Sequence, residues 1–219
     1  YLGVENLLLV SNGTLAIQVA CKTLNINSAI TTPFTFVATT SSLLWQGIDT
    51  AFSDIDMHSY NLCPIALDKA LAKDSNYDGV VATHVYGNPC NVHDIADVAN
   101  KYNKKVIYDA AHAFTTTING LPIGNFGDIS MFSFHPTKLF HTGEGGALVY
   151  NDSNLKQRIE YLKNFGIKNE EEVVLPGING KMGELQASMG LETLPLVKAE
   201  QEKRARLRQK YISCLDKIE

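Results

Sequence analysis

The run Phe132-Ser133-Phe134-His135-Pro136-Thr137-Lys138 carries an amine a few residues beyond a hydroxyl. Shortly before it, Ile107-Tyr108-Asp109-Ala110-Ala111-His112 ends an apolar run on a carboxylate. Far upstream, Ser11-Asn12-Gly13-Thr14 opens an amphipathic stretch. A lysine amine held in place can form a Schiff base with an aldehyde. A carboxylate can hold a pyridine nitrogen protonated, because the opposite charge raises that nitrogen's pKa. A helix start offers free N–H groups and a positive dipole end to a phosphate. Together these are the needs of pyridoxal 5'-phosphate (PLP), and the chain reads as the cofactor domain of a PLP enzyme.

Short β-rich runs alternate with helix-like stretches, and these must position the three groups. The pattern predicts strands at 7–10, 29–32, 50–53, 79–83, 106–108, 129–133 and 147–150. It predicts helices at 14–24, 39–46, 65–72, 92–102, 153–164 and 182–194. Several strands are apolar on both sides, as in a sheet covered on both faces. The fold class is therefore α/β, with a mostly parallel sheet sandwiched by helices. Asp109 then lies at the carboxyl end of a strand, where open α/β sheets bind ligands. Ala111 is small enough to leave room for a flat ring. Ser133 ends another strand and can reach the same phosphate as Gly13 and Thr14.

Taken singly, each signal is open. Ser11-Asn12-Gly13-Thr14 would equally suit an ordinary capped helix. Asp109 could be a capping residue, and His112 either a ring neighbour or a satisfied core histidine. Phe34 and Phe36, in Thr32-Pro33-Phe34-Thr35-Phe36-Val37-Ala38-Thr39, could stack on the ring or belong to the core. A lone lysine is usually solvated surface. Their combination shifts the reading.

The bulk properties exclude several other classes. The 219 residues are 45% hydrophobic with a net charge of −4, so no basic surface suited to nucleic acid accumulates. No apolar run approaches the roughly 18 residues of a membrane span, and no signal-peptide pattern is present. Cys21, Cys63, Cys90 and Cys214 are scattered without C-x-x-C spacing, which reads as reduced thiols of a cytoplasmic protein. His84 and His93 do not form a metal motif by spacing. Gly143-Glu144-Gly145-Gly146 matches neither G-x-G-x-x-G nor a P-loop, and there is no G-x-S-x-G elbow. Leu175-Pro176-Gly177-Ile178-Asn179-Gly180 reads as a loop. The stretch 197–219 reads as a charged helix leaving the domain. A first residue that is not Met and an end inside a helical pattern suggest a piece of a longer protein.

From Asn6 to about Val197 the chain resembles the DegT/DnrJ/EryC1/StrS family of PLP-dependent sugar aminotransferases, of fold type I. The motifs fall in the family's order: Ser11-Asn12-Gly13-Thr14, Thr32-Pro33-Phe34-Thr35-Phe36, His84-Val85-Tyr86-Gly87, Asp109-Ala110-Ala111-His112, Ser133 to Lys138, Gly143 to Gly146, and Asn179 to Gln186. The resemblance implies that Lys138 is the Schiff-base lysine and Asp109 the acid against the pyridine nitrogen. It implies that His112 lies near the ring's phenolic oxygen, that Gly13, Thr14 and Ser133 bind phosphate, and that Phe36 stacks on the ring. Asn179 would reach the phosphate of a neighbouring subunit, which implies a homodimer with shared sites.

Residues 1–196 would form the PLP-binding large domain and 197–219 the helix leading to an absent small domain. The implied activity moves an amino group, with glutamate as donor, to a nucleotide-linked keto sugar for deoxyamino-sugar or cell-surface polysaccharide biosynthesis. The Asn179-Gly180-Lys181-Met182 form looks closest to members acting on dTDP-linked deoxy-keto sugars. Thr115 stands where glycine is common and Lys181 where arginine is frequent. Two other readings remain: a non-catalytic PLP-fold module, and a PLP enzyme for a cyclic keto substrate that is not nucleotide-linked.

Overall fold

The computed structural model describes residues 1–216. Strands with apolar side chains on both sides must be covered twice, and here they are. The elements run β1 (Leu7–Val10), α1 (Gly13–Thr23), β2 (Ser28–Thr31), α2 (Val37–Trp45), β3 (Asp49–Phe52), α3 (Pro64–Lys73), β4 (Gly79–Thr83), α4 (Val92–Lys101) and β5 (Lys105–Asp109). After them come β6 (Thr117–Ile118), β7 (Leu121–Pro122), β8 (Ile129–Ser133), β9 (Gly146–Tyr150), α5 (Leu155–Leu162), α6 (Glu184–Thr193) and α7 (Val197–Leu215).

Seven strands form one sheet in the order β1-β9-β8-β5-β4-β2-β3. β8, β5, β4, β2 and β3 pair in parallel, while β9 runs antiparallel to both its neighbours. The two-residue period of the strands divides the core. Val80, Val106, Tyr108, Phe132 and Val149 pack on the face that carries Leu67, Leu71 and Ile95 of α3 and α4. Val81, Ile107, Ile129, Met131 and Leu148 pack on the face that carries Ala16, Ile17 and Ala20 of α1 and Ile159 of α5.

All predicted strands are present with ends within one residue, and the predicted helices within two. The stretch 197–219 is helical over Val197–Leu215, and its last three residues lie outside the described ones. Only Val197 of that helix is buried. The hairpin of β6 and β7 was not anticipated. Its turn is Asn119-Gly120, with φ of +50° and +81°, the dipeptide that best tolerates a tight left-handed turn.

Thr115, noted above as a departure from glycine, sits at φ +67°. A β-branched residue is costly there, because its side chain crowds the backbone. Its hydroxyl is also buried without a hydrogen-bond partner among the described residues. Thr115→Gly is expected to stabilise the fold by about 1 kcal/mol, read as a higher urea midpoint. A lower midpoint would contradict this account of the turn.

Candidate active site

Strand periodicity decides which side chains meet. Ile107 and Ile129 face α1, so Asp109 and Ser133, an even number of residues further along their strands, belong to that same face. Asp109 pairs in register with Met131 on the neighbouring strand. α1 follows β1 almost directly, so its first turn opens at the same edge of the sheet. A Cβ on Gly13 would lie 2.9 Å from Cβ of Ser133 and 3.2 Å from its Oγ. Only glycine lets the helix start come this close to the end of β8. From the other side, a Cβ on Gly146 would lie 2.9 Å from the Asn12 carbonyl oxygen, so β9 presses on the same turn.

Asn12 caps the helix: its Oδ1 accepts from the Leu15 N–H at 2.9 Å. The Gly13 and Thr14 N–H groups have no acceptor among the described residues. They and the Ser133 hydroxyl form a neutral cradle for an anion.

A cavity of about 770 Å³ extends from this cradle, lined among others by Thr14, Phe36, Asp109, Ala111, His112, Ser133 and Lys138. Asp109 is 5% exposed. Its Oδ1 accepts from the Ala111 N–H at 3.0 Å and its Oδ2 from the Thr39 hydroxyl at 2.6 Å. Lys138 ends a tight turn in which its N–H donates to the His135 carbonyl at 2.9 Å. Burial lowers the Lys138 pKa, and the Asp109 charge opposes that shift. His112 is also shifted down, first by burial and then by the Lys138 cation, with Asp109 pulling the other way. Phe36 is 70% exposed and occupies the N-cap of α2 without making a side-chain cap. An apolar residue at a position that favours Ser, Thr, Asp or Asn signals a role other than helix stability.

A model of the DegT/DnrJ/EryC1/StrS aminotransferase family matches residues 1–219. The chain belongs to that family. It is 44% identical over 192 residues to the dTDP-4-amino-4,6-dideoxy-D-glucose transaminase of Shigella dysenteriae, covering 87% of this chain and 52% of that protein. It is 37% identical to the enzyme of the same name from Escherichia coli, covering 98% and 58%. The chain thus spans little more than half the length of these curated relatives. Among solved structures, the crystal structure of DesI in the presence of its TDP-sugar product has a TM-score of 0.83 at 35% identity, covering 90% of this chain and 50% of that one.

With the family known, the placement of the sequence-derived residues can be read one by one. Gly13, Thr14, Phe36, Asp109, His112, Ser133 and Lys138 all line the one cavity. Asn179 does not: it is exposed and bridges to Asn164, while the next residue's carbonyl accepts from the Ser11 N–H at 2.8 Å. His84 is wholly buried and stacks on Tyr108 at 4.7 Å. Its Nδ1 accepts from the Cys90 N–H, and burial pushes its pKa down to about 3. His93 instead meets the edge of Phe126.

Sequence reasoning missed Thr35, Thr83, His135 and Glu144 on the cavity wall, and Thr39 behind it. Thr35 and Thr39 are four apart at a helix start, but no spacing rule links either to Asp109.

Lys138→Met removes the cation that disfavours charged His112, so the His112 ring is expected to titrate at higher pH than in the unmodified protein. Asp109→Asn removes the opposing charge and is expected to move it lower. Imidazole proton NMR against pH reads both, and an upward shift in Asp109→Asn would contradict the site electrostatics.

Proposed function

We propose that this chain is the cofactor-holding part of a PLP-dependent nucleotide-sugar aminotransferase. It would take the amino group from an amino acid, with glutamate as the donor, and pass it to a nucleotide-linked keto sugar for deoxyamino-sugar or cell-surface polysaccharide biosynthesis. The observation that carries this reading is the convergence of the Lys138 amine, the buried Asp109 carboxylate and the Gly13–Ser133 cradle on one cavity. The transaminase names of the relatives and the TDP-sugar product of DesI support a dTDP-linked deoxy-keto sugar.

The residues present fit PLP. Its phosphate suits the free N–H groups of Gly13 and Thr14 and the Ser133 hydroxyl, which can take charge without adding a competing cation. Bound PLP supplies an electron sink for the negative charge that develops at the donor's α-carbon. Asp109 keeps the ring nitrogen protonated, which strengthens that sink. Phe36, Ala111 and His112 line the cavity in which the ring would lie: Phe36 would offer it a face and Ala111 would leave it room. Burial keeps a larger share of the Lys138 amine neutral. That amine would hold the cofactor until the donor's amino group takes its place there; once released, it would accept the proton from the donor's α-carbon and return it to the cofactor's C4' carbon. The complete set of amine, acid and hydroxyl weighs against a non-catalytic module.

A homodimer with shared sites accords with Asn179 lying outside its own cavity. It also accords with the exposed apolar side chains of Val37, Leu44 and Trp45 along α2. The mature enzyme would include a further small domain after α7, in line with the greater length of the relatives.

Incubation with PLP, borohydride reduction and peptide mass mapping tests the reading. A phosphopyridoxyl addition on the peptide holding Lys138 is expected, and an adduct spread over surface lysines, or none, would refute it. Lys138→Ala should lower amino transfer by at least about a thousandfold.

A further inference from the structure

Asp109 is tied to a row of hydroxyls whose direction follows from chemistry. An ionised carboxylate only accepts, so the Thr39 hydroxyl must donate to Asp109 Oδ2 at 2.6 Å. A hydroxyl has a single hydrogen. Thr39 therefore accepts from Thr35 at 2.7 Å, and Thr35, its hydrogen used, accepts from Thr83 at 2.9 Å. The row begins at the end of β4, crosses the turn after β2, enters α2 and ends on β5. Its two ends, Thr83 and Asp109, are register partners on adjacent parallel strands. Thr39 is fully buried, and Thr83 and Asp109 nearly so.

The usual fate of a helical Ser or Thr hydroxyl is a bond back to the carbonyl one turn earlier. Several hydroxyls of this protein show it: Thr23 bonds to the Val19 carbonyl, Ser213 to that of Lys210, and Ser42, on α2 itself, to that of Ala38. Thr39 forgoes that bond for a carboxylate 70 residues away. Packing alone would be served as well by valine, which has nearly the same shape and no polar atom to satisfy.

We propose that Thr39, Thr35 and Thr83 are positioning residues for the cofactor. Their one-way hydroxyl row fixes the rotation of the Asp109 carboxylate and keeps it an acceptor toward the ring nitrogen. The inference rests on the PLP reading above and extends it to groups that would not themselves touch the cofactor. The titratable side chains on the cavity wall besides Asp109 are His112, His135, Lys138 and Glu144. None of them is hydrogen-bonded to the three threonines among the described residues. The row can therefore be cut without touching them.

If the carboxylate loses its fixed rotation, it holds the ring nitrogen's proton less well. The positive charge on the ring then weakens, and the nitrogen joining Lys138 to the cofactor titrates at higher pH. The test is a spectrophotometric titration of the PLP-loaded protein with pH, together with the PLP dissociation constant. Thr39→Val is expected to raise the dissociation constant roughly five- to tenfold, the worth of one buried hydrogen bond, and to move the absorbance midpoint upward. Thr39→Ser, which keeps the hydroxyl, should restore both. Thr35→Val, one link further out and only half buried, should shift the midpoint the same way by less, and it serves if Thr39→Val does not fold.

A midpoint unchanged in both valine variants would overturn the proposal. So would weaker binding that Thr39→Ser fails to rescue, since that is a packing effect. An unmodified protein that forms no absorbing complex would instead remove the PLP reading, and the row's role with it.

Discussion

The first turn of α1 lies within van der Waals reach of the end of β8, and at Gly13 no side chain fits between them. This close approach governs the site. It brings the unpaired N–H groups of a helix start to a strand-end hydroxyl at the edge of a sheet whose strands, β9 apart, share one direction. Gly146 repeats the constraint from the other side by bringing the start of β9 against the Asn12 carbonyl. A methyl group at either glycine would push the helix start away and open the cradle, even with every polar residue intact. The sheet supplies the rigid frame: Ile107, Ile129 and Met131 are packed under α1, so the groups that follow them have little freedom.

Charge in the cavity is arranged by burial and by hydroxyls more than by ion pairs. Among the described residues Asp109 has no cationic hydrogen-bond partner; it receives a backbone N–H and the Thr39 hydroxyl. Lys138 and His112 are both biased toward their neutral forms by burial. A site of this kind presents an acid that accepts and an amine able to take up a proton, with no fixed salt bridge to break first.

Much of this was legible in the residue pattern, for identifiable reasons. Strands such as Val80-Val81-Ala82 are apolar on both faces, which already implies a doubly covered parallel sheet. Asp109 and Ser133 stand directly at strand ends, where α/β sheets place ligands, so their place at the cavity could be expected from the pattern, while the roles proposed for them came from their combination with Lys138 and from the family resemblance. What could not be read is long-range or conformational. The bond from Thr39 to Asp109 spans 70 residues and depends on how α2 leans on the sheet. The left-handed backbone at Thr115 contradicts the local preference of its residue type. The Asn119-Gly120 turn carried a recognisable signal, but its strands are two residues each, too short to show alternation.

On the proposed function, one cavity at the carboxyl edge of the sheet holds PLP between the start of α1 and Asp109. A crystal structure of the PLP-loaded protein measures this directly. The account predicts the phosphate within hydrogen-bond reach of the Gly13 and Thr14 N–H groups and the Ser133 hydroxyl, with the ring nitrogen against the Asp109 carboxylate. Phosphate density elsewhere, or a ring nitrogen turned away from Asp109, would contradict it.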